Sequence, residues 1–207
     1  MSTVTRPSVV PLLLAALAGF VDAMAFAGLG FFPGSVGATT TMIGTGAGAG
    51  PAVEAWTALA LVLAFLAGVI AASVVARARR QRPEALVLGL VALLLAAGAV
   101  IGPVSGGLLP LAAAMGAQGT LAGGLIDLPG TLVRLGRHLA NALMDEGDRW
   151  AWLPELVLWL AFLAGAVTGA RGYTVYGMNA AWIVAVGAAL IALLLGMGRS
   201  EARVRPQ

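Results

Sequence analysis

Leu63-Ala64-Phe65-Leu66-Ala67-Gly68 recurs, residue for residue, as Leu160-Ala161-Phe162-Leu163-Ala164-Gly165. The two copies are 97 positions apart, from 63 to 160. The same offset lays Leu14-Ala15-Ala16 over Leu111-Ala112-Ala113 and Gly19 over Gly116. Three matches at one spacing mark a duplicated chain, with halves at about 8–103 and 105–198 inside one domain covering 1–207. The composition then says where the duplicated unit resides. Hydrophobic residues make up 60% of the chain and charged residues 10%, against about 25% charge in a soluble domain. So little charge does not cover a water-facing surface, and the lipid bilayer is the expected surrounding.

A helix needs about 20 mostly apolar residues to cross the hydrocarbon core. Six segments qualify: Val9–Leu29, Val53–Ala76, Glu84–Gly102, Leu108–Gly124, Trp152–Ala170 and Tyr176–Met197. Two segments in corresponding places do not. Phe32–Gly50 is rich in Gly and Thr with Pro33 near its start, and Asp127–Met144 carries Arg134, Arg137 and His138. Arg6 before an apolar run and the small residues Ala25-Phe26-Ala27 resemble a signal peptide. Asp22 interrupts that run, however, and the repeat pairs it with an internal span, so a retained first helix is expected.

Arginine placement orients the spans, because cytoplasmic loops are enriched in basic residues. All twelve basic residues are Arg. Arg77, Arg79, Arg80 and Arg82 form one cluster, and Arg199, Arg203 and Arg205 another. With both inside, Asp127–Met144 starts and ends on the cytoplasmic face, and Phe32–Gly50 starts and ends outside. Only Arg171 then falls on the outer side, and both termini are cytoplasmic. The expectation is an all-α polytopic membrane protein of six transmembrane helices, arranged as a 3+3 inverted repeat with two short re-entrant helices. Each half holds an odd number of spans, so the halves enter the membrane with opposite orientation.

Non-helical backbone within the hydrocarbon is tolerated only inside protein or against a water-filled cavity. Both short segments place Pro and Gly before Thr, as if to begin a helix partway across. Pro33-Gly34 leads to Thr39 and Thr40, and Pro129-Gly130 to Thr131. Helix N-termini carry partial positive charge and attract anions or polar groups. Two such ends, one from each side, are expected to meet near the midplane. The simpler reading is a pair of Gly-rich loops between packed helices.

Asp22 is the acidic residue deepest in a span, where insertion costs roughly 2.5–3.5 kcal/mol, so a partner or a cavity is expected. It would bind a cation or relay a proton; the simpler reading is a hydrogen-bonded carboxylate that fixes packing. Its repeat position holds Gly119, which makes any site chemically asymmetric. Gln118, one residue away, is expected to face inward as a substrate contact or an interhelical hydrogen bond. The candidate substrate-binding set is therefore Asp22, Thr39, Thr40, Gln118, Gly130 and Thr131.

Other polar residues carry less. Asn179 and Thr168 fit helix packing. His138, the only histidine, is expected on a polar cytoplasmic face with Arg134 and Arg137. With no Cys and no second His, neither a disulfide nor a zinc site is expected. Asp145, Glu146 and Asp148 read as a solvated turn rather than a calcium loop. Trp150, Trp152 and Trp159 read as interfacial anchors. No basic stripe with interleaved aromatics points to nucleic acid. Ser35 and Ser73 lie apart from His138, so no catalytic constellation forms, and neither an enzyme nor a cofactor is expected.

Gly19-Phe20-Val21-Asp22-Ala23, the Gly/Thr-rich segment after it and Met115-Gly116-Ala117-Gln118 resemble the YoaK-type family of bacterial inner-membrane proteins, whose function is largely uncharacterised. The resemblance spans nearly the whole chain and implies an inner-membrane, multi-pass location. This chain departs from the family where Thr-Gly-Asn is replaced by Gly37-Ala38-Thr39, Gln-Asn-Ala by Gln118-Gly119-Thr120, and Thr-Gly-Thr by Pro129-Gly130-Thr131. These departures remove polar side chains from the expected cavity.

The function expected from these features is a carrier or channel for a small polar or ionic solute, with its site where the halves meet and the halves rocking around it in a carrier. A non-transporting membrane scaffold or accessory subunit is the alternative. Homodimerisation through small-residue helix faces, such as Gly165 and Gly169, is compatible with either.

Overall fold

The computed structural model describes residues 9–78, 82–102, 105–121, 128–145 and 148–201. Arg6, Arg79, Arg80, Gly124, Asp127, Glu146, Arg203 and Arg205 lie outside the described residues. Of the side chains in the two arginine clusters, those of Arg77 and Arg82 are described.

The protein is all-helical: α1 (Val9–Leu29), α2 (Val36–Gly48), α3 (Ala52–Ala78), α4 (Pro83–Ile101), α5 (Leu108–Gly119), α6 (Leu128–Leu143), α7 (Leu153–Tyr176) and α8 (Ala181–Glu201). Among the described residues, four stretches are long and apolar enough to cross a membrane: Val9–Leu29, Ala52–Ala78, Pro83–Ile101 and Leu153–Met197. The last covers two of the expected spans, because α7 passes into α8 through a single 3-10 turn at Gly177–Ala180. Gly177 makes that turn with φ +58, a left-handed conformation that costs a residue without Cβ little. The expected span Leu108–Gly124 appears as a shorter apolar helix, Leu108–Gly119, and residues 122–127 are outside the described set.

The duplicated hexapeptides lie at the tightest helix contacts. A Cβ on Gly68 of α3 would collide with the Ala113 carbonyl of α5, and one on Gly165 of α7 with the Ala16 carbonyl of α1. The converse also holds. Gly116 of α5 abuts the Phe65 carbonyl, and Gly19 of α1 abuts the Phe162 carbonyl. Shifting one half by the repeat offset while shifting the other back turns each contact into its counterpart. The packing is therefore reciprocal, with the first helix of each half lying against the third helix of the other. The pair α4 and α8, which are likewise repeat-related, pack on each other.

Helix directions follow from the same contacts. Ala16 meets Gly165 and Phe20 meets Gly169, so α1 and α7 run parallel. A Cβ at Gly196, late in α8, would stand 3.9 Å from Arg82 Nη1 at the start of α4, so α4 and α8 run antiparallel.

The core is built where α1, α4 and α5 converge, with Val21, Met24, Leu88, Val91, Leu95, Leu108 and Leu111 almost wholly enclosed. Large apolar residues also cover the outside, including Leu63, Ile70 and Val74 of α3 and Leu190, Leu193 and Leu194 of α8. In water such a surface would aggregate; in a bilayer it is the face that meets lipid. Gly68→Ala and Gly165→Ala are each expected to destabilise the protein by about 1–3 kcal/mol through forced separation of helices. Gly89→Ala, where an added Cβ meets nothing within 4 Å, is expected to be neutral or stabilising by up to about 1 kcal/mol. Chemical unfolding in detergent micelles would measure the difference.

Candidate functional site

Asp22 lies on the inner face of α1 and is 8% exposed. The chain leaves α1 through Gly30, at φ +75, turns with Ser35 N–H donating to the Phe32 carbonyl at 3.2 Å, and enters α2. That turn brings the Gly34 N–H onto Asp22 Oδ1 at 2.7 Å. Glycine suits position 34 because a Cβ there would sit 3.0 Å from Oδ1 and 3.1 Å from Oδ2. The carboxylate thus stands at the positive end of α2, where a negative charge is favoured.

No threonine caps the start of α2. Ser35 occupies the N-cap position without a side-chain cap bond. The Thr39 hydroxyl instead donates back to the carbonyls of Phe32 (3.0 Å) and Ser35 (3.1 Å). A hydroxyl inside the first turn reaches preceding carbonyls more readily than N–H groups ahead of it. Thr39 is buried and holds the turn together, whereas Thr40 is exposed.

Gln118 of α5 is 2% exposed. Its Nε2 donates to the Leu14 carbonyl of α1 at 2.7 Å. A carbonyl only accepts, so this contact fixes which end of the amide is nitrogen. Oε1 is buried without a hydrogen-bond partner.

These groups share one cavity of about 430 Å³. Asp22, Gln118 and Gly119 line it, together with Gly34 through Ala38 at the start of α2 and Leu128 and Pro129 at the start of α6. The beginnings of both short helices therefore open on the same space. Phe65 and Phe162, the aromatic residues of the two hexapeptides, stand on its wall, as do Ala18 and Met115. A larger groove of about 640 Å³ between α4 and α8 is lined almost wholly by Ala, Gly, Leu and Val, with Arg82 and Trp182 its polar-bearing residues; it offers no converging polar groups.

Of the six candidate residues, Asp22 and Gln118 line the cavity, whereas Thr39, Thr40, Gly130 and Thr131 do not. Thr131 is 1% exposed, borders a small separate space with Leu158 and Trp159, and accepts a hydrogen bond from Arg134 Nη2 at 3.0 Å. Arg134 also pairs through Nε with Glu155 Oε1 at 3.2 Å. It therefore turns inward and pins α6 to α7, away from the polar face expected for it, while Arg137 is exposed and His138 half-buried. Asn179 and Thr168 are exposed, and the Thr168 hydroxyl bonds within its own helix to Ala164 and Gly165. Gly34, Phe65, Phe162 and Pro129 were missed as site residues. The two phenylalanines had a signal, since the same bulky residue sits at the same place in both copies of an otherwise small-residue motif.

A multi-pass helical membrane protein with a cavity lined by Asp22 and Gln118 is the class these features define. Over residues 10–194 the chain matches the family described as "Protein of unknown function (DUF1275)", and it belongs to that family. No curated protein and no solved structure matches the chain.

The Arg134–Glu155 pair is mostly enclosed, with side-chain exposures of 28% and 17%. Arg134→Ala and Glu155→Ala are each expected to cost about 1.5–3 kcal/mol, since each leaves the other charge without its bond. The double variant is expected to cost less than the sum, as a double-mutant cycle by chemical unfolding would report.

Proposed function

We propose that this protein is a transporter or channel for a small polar or ionic solute, with its site at the interface of two inverted repeats. The observation that carries the reading is the cavity of about 430 Å³ where the starts of α2 and α6 meet Asp22 and Gln118. Repeat-built carriers place their sites at such helix breaks near the midplane, where half-helix ends and unpaired polar groups contact the solute.

Helix directions support the inverted arrangement. Arg82 and Gly196 lie at one level, so an even number of crossings separates them. Helices α4, α5, α7 and α8 supply four, and α6 then does not cross. The parallel course of α1 and α7 requires the same of α2. Their lengths agree, since 13 residues in α2 and 16 in α6 reach about 20 and 24 Å against a core of about 30 Å. With the basic clusters inside, both termini are cytoplasmic. The likeness to the YoaK-type family supports placement in a bacterial inner membrane.

The alternative, a non-transporting scaffold or accessory subunit, needs a dry interior. Gly37 and Gly119 both line the cavity, and a Cβ at either meets nothing within 4 Å. The native chain has no Cys. Gly37→Cys and Gly119→Cys are expected to react with a water-soluble maleimide in sealed vesicles; inert thiols at both positions would favour the scaffold. In the same assay, Gly50→Cys and Met144→Cys, beyond the ends of α2 and α6, are expected to label from opposite sides of the membrane. Labelling from one side would overturn the inverted arrangement.

A further inference from the structure

Among the described residues, Asp22 is the one charged side chain on the cavity wall. Its Oδ1 is taken by the Gly34 N–H, and among the described residues no donor meets Oδ2. Gln118, 2% exposed, has its nitrogen committed to the Leu14 carbonyl and its Oε1 unpartnered. Asp22 and Gln118 both line the cavity, and each carries an acceptor without a partner among the described residues. Among the described residues no arginine lines it to hold an anion, and the positive end of α2 is already faced by the Asp22 carboxylate. A bound solute has to bring donors.

The spacing of the acceptors adds a second requirement. Leu14, Ala18 and Asp22 follow one another at four-residue intervals along α1, and Ala18 also lines the cavity. Leu14 and Asp22 are therefore about 12 Å apart along the helix axis. The Gln118 amide is held at the Leu14 end and the carboxylate at the other. A single small donor does not serve both. Phe65 and Phe162 on the same wall carry aromatic rings, whose faces attract cations, and with Met115 they offer contact to hydrocarbon.

Resting on the transport reading, we infer that the solute is a small organic ammonium with a second N–H donor several bonds away. Its ammonium group lies on Asp22, its second donor on Gln118 Oε1, and its alkyl portion against Phe65, Phe162 and Met115.

The test is protection of Gly119→Cys from a water-soluble maleimide, using the full-length protein in proteoliposomes. The probes are 1,4-diaminobutane, n-butylamine, sodium butyrate and sodium chloride. Diaminobutane is expected to slow labelling, with butylamine needing about tenfold more for the same effect, the worth of one lost hydrogen bond. Butyrate and sodium chloride are expected to have no effect. Asp22→Asn should abolish protection by both amines, and Gln118→Met should remove only the advantage of the diamine. The Gln118 arm stands alone where Asp22→Asn does not fold. Labelling at full rate with every amine present, or protection by butyrate or sodium chloride, overturns the ligand class while leaving a water-accessible cavity and the transport reading intact. A thiol at position 119 that never reacts overturns both.

Discussion

The close approach of helix backbones at four glycines is the constraint on which the rest of the structure depends. Lipid tails are as apolar as leucine, so burial from water does not drive helices together within a bilayer. Dispersion contacts must do so, and they weaken steeply with separation. Gly19, Gly68, Gly116 and Gly165 let carbonyl-bearing backbone surfaces touch directly. Because the four contacts are two reciprocal pairs, each half of the chain is held by the other rather than by itself. Neither half is expected to be a self-sufficient folding unit, and the cavity exists only where the two are joined.

The glycine contacts are reciprocal but the chemistry beside them is not. Asp22 corresponds to Gly119, and Gln118 to Val21. Each half thus contributes one polar side chain where the other contributes a small or apolar one. Asp22 takes its hydrogen bond from its own half, at Gly34, whereas Gln118 reaches across to Leu14 in the other half. One polar residue therefore stabilises the start of a short helix, and the other ties the halves together. Gln118 retains a buried acceptor without a partner, which a fold selected only for stability has reason to avoid, since an unsatisfied buried acceptor costs about 1–3 kcal/mol.

The two short helices are held by different means. Helix α2 packs on α3, with Gly46 against Ala55, and is anchored at its start by the Asp22 carboxylate. Helix α6 is anchored by Arg134, which bridges Thr131 and Glu155. A partly enclosed ion pair is dearer to break than a packing contact, because it strands a charge. The two short helices therefore hold corresponding places in the chain without sharing the interactions that fix them.

Much was legible in the sequence because it depends on local pattern. The apolar runs, the repeated hexapeptide, the break between helices at Pro33-Gly34, and the depth of Asp22 in α1 each follow from residue type and spacing, whereas Pro129 and Gly130 lie within the first turn of α6. The length of an apolar run against the bilayer, and the low cost of glycine at a close contact, are properties of a segment rather than of its neighbours. What tertiary structure decided was which groups meet. Sequence gave Thr39 and Thr131 as cavity residues, but a threonine hydroxyl in a first turn is drawn to nearby carbonyls or to a neighbouring guanidinium, and both turned away. It placed Arg134 on a polar face, whereas Glu155 on α7 drew it inward. It left Phe65 and Phe162 unassigned, since only the interlocking of the two halves brings both rings to one wall. Contacts between residues a hundred positions apart depend on helix directions and crossing points, and no single segment encodes those.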